Sequence, residues 1–140
     1  MNFDLRKINE IVFGVINGVA YVNTTPHDIN FGDSNFITIL PKSGILINAK
    51  SHKELVNTKE GIKFVKTSFV GEEEEKQKIA DIKGAIYKEE DVKLVIIVGS
   101  IIAMNAFPGL VSGLVPEPGF ERVSPSEKRM SLKEFSMAQI

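Results

Sequence analysis

The sequence contains no cysteine, no tryptophan and only two histidines among its 140 residues. The absence of cysteine excludes disulfides, thiol catalysis and thiolate metal sites, and it fits a reducing compartment. Neither sign of charge is in excess, because 17 Lys and Arg oppose 18 Asp and Glu and leave a formal net charge of −1. A nearly neutral chain has no broad electrostatic attraction to nucleic acid or to an anionic membrane. Composition therefore argues against a nucleic-acid partner and excludes thiol chemistry.

What is present is ordinary for a globular protein. Hydrophobic residues make up 43% of the chain and charged residues 25%, and this length supports one hydrophobic core without disulfide or metal staples. Asp4, Arg6 and Lys7 precede the first apolar run, which is the wrong order for a secretory signal. We expect one β-rich domain over residues 1–116, followed by a C-terminal tail over residues 117–140.

Short apolar segments alternate with turn-forming residues in the first half of the chain. Ile11–Ile16 and residues 19–22 flank Asn17 and Gly18, a dipeptide typical of the type I′ turn of a β-hairpin. Further strands are expected at residues 29–31, 36–40, 45–50 and 62–70. Residues 2–10 favour a weak helical turn, and residues 51–61 a polar loop. The pattern predicts a mainly β fold, a small antiparallel barrel or sandwich with one or two short helices; an α+β fold is the alternative.

The second half contains a charge run and then an uncharged block. Residues 71–78 include four consecutive glutamates and are expected to form an exposed loop or helix end. Residues 94–115 carry no charge and are long enough to span a membrane. Gly99, Asn105 and Pro108 weaken that interpretation. The favoured alternative is a buried strand at Leu94–Val98, a turn, and a short helix over residues 101–107.

The tail contains a possible docking helix. Ser131 and Glu134 have the spacing of a helix capping box, so a short terminal helix is expected from Ser131 onwards. Its apolar residues, Leu132, Phe135 and Ile140, would need a surface to rest on. We therefore predict these three as partner-docking residues.

A polar corner lies at residues 23–28, between two strand-forming ends. Pro26 restricts its own φ and favours an extended Thr25, while short polar side chains favour a turn. Asn23, Thr25 and His27, together with Ser100, are the candidate binding residues. For His27 the turn-stabilising interpretation competes with a base or metal ligand, and for Ser100 a helix cap competes with an anion site. No catalytic triad, phosphate loop or metal-ligand set stands out, so we expect no metal and no cofactor.

The same corner resembles a known motif. Asn23-Thr24-Thr25-Pro26-His27 is similar to the Asn-Leu-Thr-Pro-His motif of small uncharacterised proteins encoded by bacteriophages and prophages. Their Pro-Ser-Gly turn is similar to residues 41–44, and their strand-Ser-Val-Ala-x-Ala-Pro-Gly landmarks to residues 97–109. Leu110 and Ser112 depart from the Arg and Asp that those proteins often carry. The resemblance implies a viral source and a β fold, and it implies no activity.

These observations favour a phage-encoded, non-catalytic binding or structural protein, in the host cytoplasm or as a virion component that docks through its tail. Its expected partners are other protein subunits, through self-association or a viral assembly, with nucleic acid and membrane disfavoured. The first alternative is a small-ligand-binding protein or enzyme, which requires that the Asn23, Thr25 and His27 corner and Ser100 converge on one pocket. The second alternative is a small membrane protein.

Overall fold

The computed structural model describes residues 1–139, in which ten strands and two α-helices occur. The strands are β1 Asp4–Ile8, β2 Ile11–Ile16, β3 Val19–Asn23, β4 Ile29–Gly32, β5 Ile37–Leu40, β6 Lys50–Lys59, β7 Ile62–Val70, β8 Leu94–Val98, β9 Ser112–Pro116 and β10 Met130–Met137. The helices are α1 Glu73–Glu89 and α2 Ile101–Ala106, and a 3-10 turn spans Pro125–Glu127. The prediction of a mainly β fold with few helices is confirmed.

Eight of the strands form one curled sheet, a half-barrel, in the order β1-β2-β3-β8-β9-β10-β4-β5. The pairs β3–β8, β8–β9 and β10–β4 are parallel, and the other pairs are antiparallel. The sequence pattern had indicated antiparallel pairing throughout. Parallel neighbours need a long connection, and residues 24–93 supply it between β3 and β8. β6 and β7 form a separate two-stranded sheet.

The Asn-Gly hairpin is confirmed. Ile16 pairs with Val19, and the two residues between them, Asn17 and Gly18, have φ of 51° and 76°. Positive φ at both central positions is what a type I′ turn requires.

Side chains on the two faces of the main sheet form two hydrophobic clusters. Along β3, Ala20 and Val22 belong to one cluster and Tyr21 to the other, as the alternation of a strand demands. α1 covers the first face with its buried residues Ile79, Ile82 and Ile86. The second face collects aromatic rings, including Phe3, Tyr21 and Phe31.

Three local expectations are wrong, and in two of them the segment pairs with the neighbouring strand. Residues 2–10 contain strand β1, which pairs with β2. Residues 51–61 are mostly strand β6, paired with β7. Residues 45–49 contain no strand. The expectation of an exposed loop or helix end at the acidic run is confirmed, because most of the run begins the 17-residue helix α1. There Glu73, Glu74 and Glu75 lie at the positive end of the helix dipole, which stabilises the helix.

The predicted tail helix is also wrong. Residues 130–137 form β10, which lies between β9 and β4 in the main sheet. Ser131 does act as a local cap, because its Oγ accepts hydrogen bonds from the backbone N–H groups of Lys133 and Glu134 at 3.0 and 3.2 Å. The β9–β10 register shifts between Met130 and Phe135. The capping-box spacing therefore marks an irregularity in a strand.

The uncharged block folds as β8, α2 and most of β9. The strand at Leu94–Val98 is confirmed, and the short helix after it ends at Ala106. Among residues 1–139, no helix combines the length and the apolar character needed to cross a bilayer.

Candidate functional site

The polar corner at residues 23–28 is built on the side chain of Asn23, which is completely buried. Its Nδ2 donates to the carbonyl oxygens of His27 at 2.7 Å and Leu40 at 3.2 Å. Its Oδ1 accepts from the backbone N–H and the hydroxyl of Thr25 at 3.0 and 2.6 Å. These four bonds use the full capacity of an amide side chain. Asn23 therefore holds the corner in shape and has no group left for a ligand.

Neighbouring bonds fasten the corner to the rest of the sheet. The backbone N–H and the hydroxyl of Thr24 both donate to the carbonyl of Val98, at 2.9 and 2.8 Å. On the other side, Asp28 Oδ1 accepts from the backbone N–H of Lys42 at 3.0 Å. The corner is thus tied to the end of β8 and to the segment after β5. It is a rigid element of the fold.

His27 lies exposed at the tip of this corner. Its backbone carbonyl accepts the Asn23 and Thr25 bonds, whereas its ring makes no hydrogen bond to any of residues 1–139. The expectation that the His27 ring stabilises the turn is therefore wrong, because the amide of Asn23 performs that role. Among the described residues, no group of three or more His, Asp or Glu side chains could hold a metal ion.

A cleft of about 490 Å³ lies beside the corner, and it brings three of the four predicted binding residues together. Thr25, His27 and Ser100 line it, while Asn23 lies buried beneath. Across the cleft, Lys128 contributes a cation. The remaining walls are formed by the apolar residues Pro26, Ile29, Leu114, Pro125 and Met130 and by the polar residues Asp28 and Asn30.

The cleft does not contain an assembled catalytic pair. Ser100 Oγ accepts from the backbone N–H of Ala103 at 3.1 Å and caps α2, so the helix-cap interpretation of Ser100 is confirmed. A nucleophilic hydroxyl needs a base within hydrogen-bond reach, and no such bond joins Ser100 to His27 within residues 1–139. The cleft combines apolar walls with a cation, an imidazole and hydroxyls. This chemistry suits the binding of a small ligand better than it suits catalysis.

The wall that carries Lys128 is held by its neighbour Arg129. The Arg129 guanidinium donates to the carbonyl of Asp33 and lies 5.2 Å from the centre of the Phe120 ring. The hydrogen bond connects residues 117–129 to the turn between β4 and β5, and the cation–π contact holds Arg129 against Phe120 within that segment. Sequence reasoning missed Lys128, because no local pattern links it to a corner one hundred residues earlier.

The predicted tail-docking residues are partly buried in the protein's own core. Leu132 and Phe135 pack against the second hydrophobic cluster. The Phe135 ring lies 5.9 Å from that of Tyr21 and 6.2 Å from that of Phe31, centre to centre. Burial against this cluster raises the pKa of Tyr21. Ile140 lies outside the described residues.

The sequence pattern did not predict a second candidate surface, which residues 50–70 form. Every residue from Lys50 to Val70 is exposed, so β6, its turn and β7 form a projecting hairpin that we call the arm (residues 50–70). Seven large apolar residues of the arm are between 39% and 64% exposed: Leu55, Val56, Ile62, Phe64, Val65, Phe69 and Val70. The Glu60-Gly61 turn, with φ of 52° and 76°, was the sequence signal that could have joined residues 51–59 to the strand after it.

The apolar residues of the arm occupy both of its faces. Directly paired residues in an antiparallel sheet share a face. The pair Leu55 and Val65 therefore lies on one face, and Phe64, in the adjacent position, lies on the other. Neither face rests on the protein's own core.

One further charged contact joins the start of α1 to the segment before the arm. Burial works against ionisation of Glu75, but hydrogen bonds from Lys78 Nζ at 2.8 Å and the backbone N–H of Asn48 at 3.1 Å outweigh it. The pKa of Glu75 is therefore lowered.

Comparisons with protein-family models, with curated proteins and with solved structures found no match for this chain.

Proposed function

We propose that this chain is a non-catalytic binding or structural protein that docks on other protein subunits through its arm. The resemblance of its Thr-Pro-His corner to phage and prophage proteins supports a phage origin, in the host cytoplasm or in the virion. The observation that carries the proposal is the arm itself, a two-stranded hairpin that is exposed on both faces and along its whole length.

Such a hairpin is expected to be buried against another protein surface. An isolated two-stranded hairpin is marginally stable at best in water, and natural proteins rarely leave long, apolar edge strands free. Covering the seven apolar residues would remove on the order of 500 Å² from water, a large share of the ~800 Å² that each partner buries in a standard interface. Exposed apolar surface of this extent is typical of a protein interaction site.

The same surface is a poor nucleic-acid platform. The arm contains lysines and no arginine, and arginine is the residue that most often reads bases and stacks on them. Binding to phosphates requires only basic side chains, so it would leave the seven apolar residues of the arm unexplained. A protein partner accounts for both the lysines and the apolar residues of the arm.

The absence of cysteine from the chain permits a direct test. A single cysteine is introduced at Phe64 in the arm, and a second variant carries one at Ile39, a β5 residue that is 53% exposed. Both are labelled with a maleimide in the cells that naturally produce the protein, and again after purification and denaturation. We expect Phe64→Cys to be protected in the cells and Ile39→Cys to be labelled. Equal labelling at the two positions would contradict the proposal.

A second candidate function is the binding of a small ligand in the cleft, favoured because Thr25, His27 and Ser100 converge there. The ligand would be a partly apolar molecule with an acidic or polar group that faces Lys128. In a thermal-shift screen of small carboxylates, a binder should lose its effect with His27→Ala or Lys128→Ala. A screen in which no compound shifts the melting temperature of the wild type would count against this candidate.

A further inference from the structure

We infer that the partner of the arm is a second copy of this chain, with the arm of each copy lying across the α1 segment of the other. The α1 segment is defined here as residues 72–91. This inference rests on the proposed function, because it names the protein on which the arm docks.

The charges of the chain are separated between these two parts. The arm carries five lysines and two glutamates, a net charge of +3. The α1 segment carries eight acidic residues and four lysines, a net charge of −4. Since the whole chain is −1, the remaining residues sum to zero. The arm and the α1 segment are therefore electrostatically complementary.

Within one molecule this complementarity cannot be satisfied at the tip of the arm. Lys59 and Lys63 lie next to the turn, and at about 3.3 Å per residue the turn is roughly 30 Å from the base of the arm. α1 begins three residues after the base, at Glu73. Among residues 1–139, the ion pairs of α1 join Glu73 to Lys76, Glu75 to Lys78, and Glu90 to Arg6; none involves the arm. A second molecule can bring an acidic surface to those lysines.

The α1 segment also offers apolar contacts beside its charges. Tyr87 is 45% exposed and Leu94, just beyond the segment, 47%, and the Tyr87 hydroxyl accepts a hydrogen bond from the backbone N–H of Val95 at 2.9 Å. The two side chains are thus held on the same region of the body. An arm that carries both lysines and apolar residues matches a surface of this composition.

Arm-to-arm pairing is the competing arrangement for two copies, and charge disfavours it. Two arms of +3 each would repel, and like charges placed directly opposite on paired strands are destabilising. An exchange of arms instead forms two identical contacts around a two-fold axis, which closes the assembly as a dimer. Each contact covers one face of an arm, on the order of 250 Å² of its apolar surface, and a similar area of body, so the two contacts together reach the ~1,000 Å² expected of a specific interface.

Sedimentation velocity on the purified full chain tests the inference, with two charge reversals and one control. Lys53→Glu/Lys63→Glu reverses two lysines on one face of the arm. Glu74→Lys/Asp81→Lys reverses two exposed acids seven residues apart on one face of α1. Lys42→Glu/Lys133→Glu, at two exposed lysines, makes the same change in charge as the arm variant, outside both surfaces.

We expect the wild type and the control to be dimeric, and each reversal alone to weaken dimerisation by about tenfold or more. A mixture of the two reversed variants should form a heterodimer, because one of its contacts is that of the wild type and the other places the introduced glutamates opposite the introduced lysines. Circular dichroism of each variant verifies that it is folded.

Three results would overturn the inference. A wild type that stays monomeric at all concentrations would exclude the second copy, whereas the cysteine-labelling experiment would still decide whether another protein covers the arm. A dimer that survives both reversals would exclude the contact between the arm and the α1 segment. Tight binding of random-sequence duplex DNA by the wild type, lost with Lys53→Glu/Lys63→Glu, would overturn the proposed function as well.

Discussion

At the scale of single residues, the corner shows how one buried amide can organise a turn. Asn23 contributes all four of its hydrogen bonds to main chain or side chain within the fold. His27, the residue with the greater chemical versatility, contributes only its backbone to the same turn. The residue that attracts attention in the sequence is therefore not the residue on which the local structure depends.

Asn23→Ala should destabilise the protein by about 2–4 kcal/mol, because it leaves the carbonyls of His27 and Leu40 without their buried donor. The free energy of unfolding in urea measures this change. His27→Ala is the matched control and should change the stability by less than about 0.5 kcal/mol, as expected for an exposed side chain. Equal effects of the two substitutions would show that the Asn23 amide does not organise the corner.

At the scale of elements, the junction between β7 and α1 connects the arm to the body. A Cβ at Gly71 would lie 2.5 Å from the carbonyl oxygen of Ala106 and 2.6 Å from the ring of Phe107. Real Cβ atoms do not approach backbone so closely, so the chain at Gly71 must pass directly against the end of α2. Gly84, in the middle of α1, has no atom within 4 Å of the same position.

Gly71→Ala and Gly84→Ala should therefore change the free energy of unfolding in opposite directions. We expect Gly71→Ala to lower the free energy of unfolding by about 1–3 kcal/mol, because a side chain is forced into a packed site. Gly84→Ala should raise it by up to ~1 kcal/mol, because alanine favours the helix and meets open space. Urea unfolding of both variants measures the signs, and stabilisation by Gly71→Ala would contradict the close approach of β7 and α2.

At the scale of the whole molecule, the arm and the body are two hydrogen-bonded units. The eight-stranded sheet contains both hydrophobic clusters, and the two-stranded sheet contains no residue of either. The body should therefore fold without the arm. Neither hydrophobic cluster depends on a residue of the arm.

Replacing residues 53–67 by Asn-Gly tests that independence. His52 and Ser68 are directly paired, so a two-residue type I′ turn can join them. We expect the shortened protein to unfold cooperatively, with a slightly smaller m-value than the wild type. Its free energy of unfolding should lie within about 1 kcal/mol of that of the wild type, measured at a concentration too low for dimerisation. Loss of the cooperative transition would show that the arm is part of the folding unit.

The extent to which the sequence predicted this fold follows from the range of each interaction. The β2–β3 hairpin was predicted because Asn17 and Gly18 specify their own turn. α2 was predicted because Ser100 caps it locally. β10 was not, since Ser131 produces the same local signal in an irregular strand as at a helix start. The cleft was predicted in part: Thr25, His27 and Ser100 do meet, but Lys128 joins them only through the order of strands.

The amino-acid sequence by itself determined the mainly β character, the Asn-Gly turn and the polar corner, because backbone conformation and side-chain capping act over a few residues. The tertiary structure alone decided that β10 enters the main sheet, that α1 covers one face of that sheet, and that residues 50–70 project from it. Burial and strand pairing depend on groups far apart along the chain. A segment rich in apolar residues, such as Ile62–Val70, can line a core or lie in solvent. Which of the two occurs depends on what the rest of the chain places against it.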